Sequence, residues 1–262
     1  MPQDAWQDGA RYERYIGRWS RLVASEFLAW LGMPAHARWL DFGCGTGALT
    51  GTIIAMADPR SVVGVDRSDG FLRLAREQVT DPRATFIVGT AERLPLDDSA
   101  VDVAVSGLVL NFIPDAPGAL RELSRVTRDG GTIAAYVWDN GGQMQLLRYF
   151  WEAAVALDLA ARALDEGQRF VLCHPDPLAN LFRSAHLAEV EVRAIDAPTR
   201  FRDFDDYWAP FLGGQGPAPT YALSLAPERR DALRDRIRAA LPVAPDGSIS
   251  LIARAWAVRG KK

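Results

Sequence analysis

Lysine is almost missing from this chain of 262 residues: only Lys261 and Lys262 are lysines, against 28 arginines. No interior lysine can form a Schiff base, which sets aside pyridoxal phosphate enzymes and lysine-dependent aldolases, and none can serve a P-loop or kinase phosphate site. Histidine is scarce too. His36, His174 and His186 are too sparse for a metal site built from protein alone, and neither an H-E-x-x-H helix nor a G-x-S-x-G elbow occurs. The two cysteines, Cys44 and Cys173, lie far apart and form no C-x-x-C, so the expectation is a reduced, cytoplasmic protein. No run approaches about eighteen apolar residues, and Met1-Pro2-Gln3-Asp4 lacks a basic start and apolar core, so neither a membrane span nor a signal peptide is expected. A net charge of −3 lacks the basic excess that phosphate neutralisation calls for. No nucleic-acid partner is expected, although a local arginine patch stays compatible with this charge.

What is present suits one α/β domain: 48% hydrophobic and 24% charged residues can bury a full core without disulfide or metal. The most informative stretch is Trp39-Leu40-Asp41-Phe42-Gly43-Cys44-Gly45-Thr46-Gly47, an apolar run ending in an acid and three alternating glycines. It reads as a strand feeding a ligand-binding turn, with glycines letting backbone N–H groups come close to a ligand and a helix opening after it. The spacing D-x-G-x-G-x-G differs from the dinucleotide fingerprint G-x-G-x-x-G. Nineteen residues after Gly47, the strand Val62-Val63-Gly64-Val65 ends in Asp66, placed to accept hydrogen bonds from ribose hydroxyls. A helix N-cap is the alternative role for Asp66.

An ordered series continues from there: Gly89-Thr90-Ala91-Glu92-Arg93-Leu94-Pro95, Val101-Asp102-Val103-Ala104-Val105-Ser106, and Leu123 through Gly131. With these motifs, residues 12–139 resemble a class I S-adenosylmethionine-dependent methyltransferase of the broad small-molecule (type 11-like) group. The resemblance implies a Rossmann-like, doubly wound, mostly parallel seven-stranded sheet with an antiparallel final strand. It also implies S-adenosyl-L-methionine as methyl donor and S-adenosyl-L-homocysteine as product.

Alternating patterns predict strands at 38–42, 61–66, 84–88, 101–106 and 131–138, with helices at 46–57, 69–79 and 115–127. Arg128-Asp129-Gly130-Gly131 is read as a turn in which glycine caps the preceding helix. Beyond it, 143–164 and 175–185 read as helices, and 188–195 and Ile249 to Val258 as strands that the resemblance makes an antiparallel extension. The whole chain is read as a single methyltransferase domain. Residues 1–35 would form a helical lid, and 197–247, centred on Phe201 to Leu241, a helical cap over a substrate pocket or a surface for a homodimer. Monomer and homodimer both stay open.

Ligands in such sheets gather beyond the carboxyl ends of the strands. Asp41, with the carbonyls of Gly43, Cys44 and Gly45, can receive the cofactor's α-ammonium, or Asp41 can simply order the turn. The thiol of Cys44 is read as inert. Arg67 can lay its aliphatic stem on adenine. Many members of the family carry an acid where Thr90 stands; here the Thr90 hydroxyl, the Ala91 N–H and the Glu92 carboxylate are the adenine candidates. Ser106 to Leu108 would pass the sulfonium and methyl group at the end of the fourth strand. Tyr15, Arg18 and Trp19, with Arg21, are read as part of the lid: an arginine clamps the methionine carboxylate and the rings shield it.

On the acceptor side Asn111, Phe112 and Trp138 are the substrate candidates, and an excess of aromatic residues suits an apolar or aromatic small molecule, with most of those aromatics expected to be ordinary core residues. Methyl transfer needs alignment more than acid–base help, so the catalytic base is left open among Asp139, Tyr149, His174, Asp205 and Asp206. Two other functions share these features. One is a cofactor-binding or partner subunit of the same fold without transfer activity; the other is an NAD(P)-dependent oxidoreductase, disfavoured by the glycine spacing and by the lack of a tyrosine-lysine pair.

Overall fold

A computed structural model of the chain describes residues 18–213 and 216–262, without the side chain of Arg18. In chain order its main elements are α1 (Arg18–Leu31), β1 (Arg38–Phe42), α2 (Ala48–Met56), β2 (Ser61–Asp66), α3 (Asp69–Gln78), β3 (Ala84–Val88), β4 (Val101–Gly107), α4 (Ala116–Val126), β5 (Thr127–Trp138), α5 (Gln145–Leu157), α6 (Pro175–Ser184), β6 (Ala188–Phe201), α7 (Pro217–Ser224), α8 (Pro227–Ala240) and β7 (Ile249–Lys261). The strands form one seven-stranded sheet in the order β3-β2-β1-β4-β5-β7-β6. Six strands run parallel and β7 runs against them, so β7 alone is antiparallel and β6 beyond it returns to the common direction.

The chain divides into two compact units. The first comprises Ser20–Val137, Leu172–Ile195 and Ala255–Lys262. Its central strands are buried on both faces, which is why β1 and β4 read as nearly continuous apolar runs. Helices cover them through apolar stripes: α4 buries Ala116, Ala119, Leu120, Leu123 and Val126 at helical spacing. Its start is set by Asp115, whose carboxylate accepts from the Gly118 N–H at 2.8 Å. Asp41 of β1 stands beside Val105 of β4 in register, which puts the acid and the next β4 residue, Ser106, at the carboxyl ends of adjacent strands.

Two local expectations change here. The segment 128–131 is not a turn but the start of β5: the Gly130 N–H donates to the Lys262 carbonyl, and the Lys262 N–H to the Gly131 carbonyl, both at 3.0 Å. Pairing with the end of β7 satisfies backbone groups that a turn would have left to solvent. Helix α4 accordingly ends at an extended Thr127, not at a glycine.

The second unit comprises Trp138–Val171 and Asp196–Arg254 together with Trp19. Here α5 packs against α7 and α8. The helix expected over 143–164 breaks at Asp158, whose side chain caps a following 3-10 turn by accepting from the Ala160 N–H. The aromatic residues of this unit are its core. Phe150 stacks on Phe211 with centroids 4.5 Å apart and meets Trp151 edge-on, while Tyr207 lies against Phe201 and Phe211. The Tyr207 hydroxyl donates to the Leu146 carbonyl at 2.8 Å. Trp151, Tyr207, Phe150 and Phe211 are fully buried and serve packing, the core role expected for most of these aromatic residues.

Candidate functional site

The glycine turn leaves β1 and is held against the end of β2. The N–H groups of Gly43 and Cys44 both donate to the Val65 carbonyl, at 2.7 and 3.1 Å, and the Gly47 N–H donates to the Cys44 carbonyl. The Gly45 N–H donates to Asp66 Oδ2 at 3.0 Å. Gly47, at φ 86°, takes the left-handed step into α2 that a side chain would resist. Four of the turn's donors are thus consumed within the protein, contrary to the expectation that they face a ligand. A pyrophosphate, which needs several free N–H donors, is poorly served by such a turn; a cationic group is not penalised.

Asp41 is the acid best prepared for a cation. It is 1% exposed, its Oδ2 accepts from the Thr50 hydroxyl at 2.6 Å, and its Oδ1 is buried with no hydrogen-bond partner among the described residues. Burial pushes its carboxyl up to about 7, with the bonds from Thr50 opposing that rise and the charge of Asp66 adding to it. Thr50, nine residues on and across the turn, has no sequence signal that marks it as the partner. On the neighbouring strand Ser106 is fully buried and its Oγ likewise has no partner among the described residues. Cys44 is a buried free thiol whose pKa burial raises far from the reactive range.

Asp66 ends β2 with both oxygens presented to backbone: Oδ2 to Gly45 and Oδ1 to the Ser68 N–H at 2.8 Å. It is not the cap of α3. That place is taken by Ser68, whose hydroxyl accepts from the Phe71 N–H. Each Asp66 oxygen keeps further acceptor capacity, as a vicinal diol would need. Arg67 beside it is exposed. Beyond β3, Thr90 bridges to Arg93, and a hydrogen bond from the Thr90 side chain holds the Glu92 carboxyl below its usual range. Thr90 and Glu92 are exposed and Ala91 is half-buried. With its proton committed to Glu92, the Thr90 oxygen is left as an acceptor. After β4, Asn111 and Phe112 form a 3-10 turn with Leu110; Asn111 is half-buried and Phe112 is 39% exposed.

The first unit therefore holds Asp41, the glycine turn, Asp66, Arg67, Thr90, Ala91, Glu92, Ser106, Asn111 and Phe112. It also holds His174, an exposed residue at the start of α6. The other candidates lie elsewhere. Trp138 and Asp139 are buried in the second unit, where Asp139 Oδ2 accepts from the Gln143 N–H, and Tyr149 is half-buried on α5. Asp205 is paired with Arg234 at 2.8 Å, and Asp206 accepts from the Arg202 N–H. Trp19 is 4% exposed and meets Phe201 edge-on at 5.4 Å. Tyr15 and the side chain of Arg18 lie outside the described residues. Among the described residues no three His, Cys, Asp or Glu gather as a metal site, and no helix is long and apolar enough to cross a membrane.

The profile of a methyltransferase domain family matches residues 40–135. A demethylmenaquinone methyltransferase of Roseiflexus castenholzii is 31% identical over 173 residues, a match covering 62% of this chain and 72% of the relative. A malonyl-[acyl-carrier protein] O-methyltransferase of Pectobacterium atrosepticum is 35% identical over 145 residues, covering 55% of each chain, so this chain spans about half of that relative's length. In fold, the chain is similar to Haemonchus contortus phosphoethanolamine N-methyltransferase 2 crystallised with S-adenosyl-L-methionine. That likeness has a TM-score of 0.57 at 17% identity, over 92% of this chain and 52% of that one.

Proposed function

Because this chain belongs to the class I S-adenosylmethionine-dependent methyltransferases, we propose that it transfers a methyl group from S-adenosylmethionine to an O, N, C or S atom of a small, apolar or aromatic molecule. The observation that carries the site assignment is the unpartnered, buried Oδ1 of Asp41 beside a turn in which four N–H donors are already used. A buried carboxylate oxygen without a donor is costly, and an ammonium group would satisfy it. Asp66 would hold the ribose hydroxyls, Thr90, Ala91 and Glu92 the adenine edge, and Ser106 would lie beside the sulfonium. The sulfonium supplies an activated methyl group, so the chain's own contribution is alignment and exclusion of water. Alignment of this kind can be worth roughly 7 kcal/mol or more. Asn111 and Phe112 are the acceptor contacts of this reading, and segment 197–247 is its cap or homodimer surface.

Parallel calorimetric titrations with S-adenosylhomocysteine, S-adenosylmethionine and NADH test the donor, followed by a panel of phenols, carboxylic acids and amines scored for S-adenosylhomocysteine release. Binding of the first two ligands with turnover of a phenol or another apolar acceptor supports the reading. Binding of NADH alone would sink it. Binding without turnover across the panel would favour the partner-subunit reading.

Asp41 makes this binding pH-dependent. In the free protein its carboxyl is neutral below about 7, whereas the cofactor's ammonium favours the carboxylate. S-adenosylhomocysteine is therefore expected to bind up to about tenfold more tightly at pH 8 than at pH 6, since each pH unit below the pKa removes up to a factor of about ten of carboxylate. The free protein responds in the opposite sense. An acid raised on folding makes the native state bind more protons than the unfolded state, so stability falls as pH rises between about 4 and about 7. Bound S-adenosylhomocysteine should flatten that decline. Titrations and thermal melts across pH 5 to 8 check both, and an affinity independent of pH would remove Asp41 from the ammonium site.

A further inference from the structure

We propose that Val109, aimed by a strained Leu108, is a positioning residue that holds the first glycine of the cofactor turn and so sets the methionine half of the cofactor relative to the acceptor side; the proposal rests on the methyltransferase reading above. Leu108 has φ 62°, a left-handed conformation that a leucine reaches only when its surroundings impose it. They do so from two directions. Its N–H donates to the Tyr136 carbonyl at 2.8 Å. Just before it, Gly107 lies so close to the Tyr136 ring that a Cβ would meet the hydroxyl oxygen at 2.6 Å.

The left-handed step turns the chain off the line of β4, and Val109 is the residue it redirects. A Cβ on Gly43 would lie 2.6 and 2.7 Å from the two Val109 methyl carbons, so the valine occupies the space a side chain at Gly43 would fill. Gly43 itself has φ 72°. The turn is thus gripped between Val65, which takes the Gly43 and Cys44 N–H groups, and Val109 on its other side.

Leu108 and Val109 are half-buried, whereas the adjacent Leu110 is fully buried and anchors the 3-10 turn. Strain maintained at a half-buried position is a mark of a site. The same short segment continues into Asn111 and Phe112, so one piece of backbone connects the glycine turn to the acceptor candidates. A displacement at Val109 would move the turn, and with it the methionine half of the cofactor, while leaving the ribose and adenine contacts of Asp66 and Thr90 in place.

The test uses the full chain and two ligands, S-adenosylhomocysteine and adenosine, titrated by calorimetry into the parent, Val109→Ala and Leu108→Gly. Val109→Ala should weaken S-adenosylhomocysteine about tenfold and adenosine less than twofold. Leu108→Gly relieves the left-handed strain but loses a half-buried side chain and adds chain entropy, so it should melt close to the parent, yet bind S-adenosylhomocysteine at least threefold more weakly. Unchanged S-adenosylhomocysteine affinity in Val109→Ala would overturn the proposal, and so would equal weakening of both ligands, which signals general loosening. A parent that binds neither ligand would overturn the methyltransferase reading itself, and this proposal with it.

Discussion

Asp66→Ala is expected to lower affinity for S-adenosylhomocysteine by at least about a hundredfold while the chain still folds. A carboxylate hydrogen bond to a hydroxyl is worth about 1.5–3 kcal/mol, and a vicinal diol can make two. Their joint loss corresponds to two or more factors of ten, at about 1.4 kcal/mol for each. The variant also frees the Gly45 and Ser68 N–H groups, which Asp66 now accepts, so the glycine turn loses one of its restraints. Asp66→Asn separates the two effects. It keeps the shape and an acceptor oxygen for the backbone but weakens the charge-assisted bonds, and an intermediate loss of affinity is expected. Calorimetry measures the binding and a thermal melt reports the fold; near-parental affinity in Asp66→Ala would remove Asp66 from the ribose site.

A second large effect is expected within the second unit. There Arg148 forms a forked pair with Asp165, at 2.9 and 2.7 Å, and donates to the Asn140 carbonyl at 2.7 Å. The two side chains are only 12% and 7% exposed. Asp165 also accepts from the Gly167 N–H, and a Cβ on Gly167 would meet Arg148 Nη1 at 2.5 Å, so the guanidinium packs directly against that glycine. Next to it the buried Glu166 accepts from the Trp151 indole N–H. Arg148→Ala leaves the Asp165 charge buried without its cation, a change that typically costs about 3–5 kcal/mol. For a chain of this size that corresponds to a fall in melting temperature of about 10 °C. Replacing both members, as Arg148→Met with Asp165→Leu, should cost much less, because no orphaned charge remains. A single variant that melts within about 2 °C of the parent would show that water reaches Asp165 and solvates it.

Much of this was legible in local pattern. The boundaries of β1, β2 and β3 follow from apolar runs closed by an acid or a glycine, and α3 and α4 from Ser68 and Asp115 placed before helical stripes. Where the pattern misled, longer-range pairing decided the outcome. Arg128-Asp129-Gly130-Gly131 has turn composition but lies in β5, because the chain end returns along it. The 188–195 strand extends to Phe201 because β7 is long enough to pair with it.

By itself the sequence determined the alternation of strands and helices, the motif order that places the chain among methyltransferases, and the acids at the ends of β1 and β2. Each of these rests on spacings of a few residues, which local sterics and burial translate directly into structure. Only the tertiary structure decided that Thr50 holds one oxygen of Asp41 and leaves the other bare, that four of the turn's N–H groups are already occupied, that Val109 lies on Gly43, and that Arg148 neutralises Asp165. Those pairings join residues brought together by the sheet and the helix packing, and no local periodicity encodes which distant side chain will fill a given space.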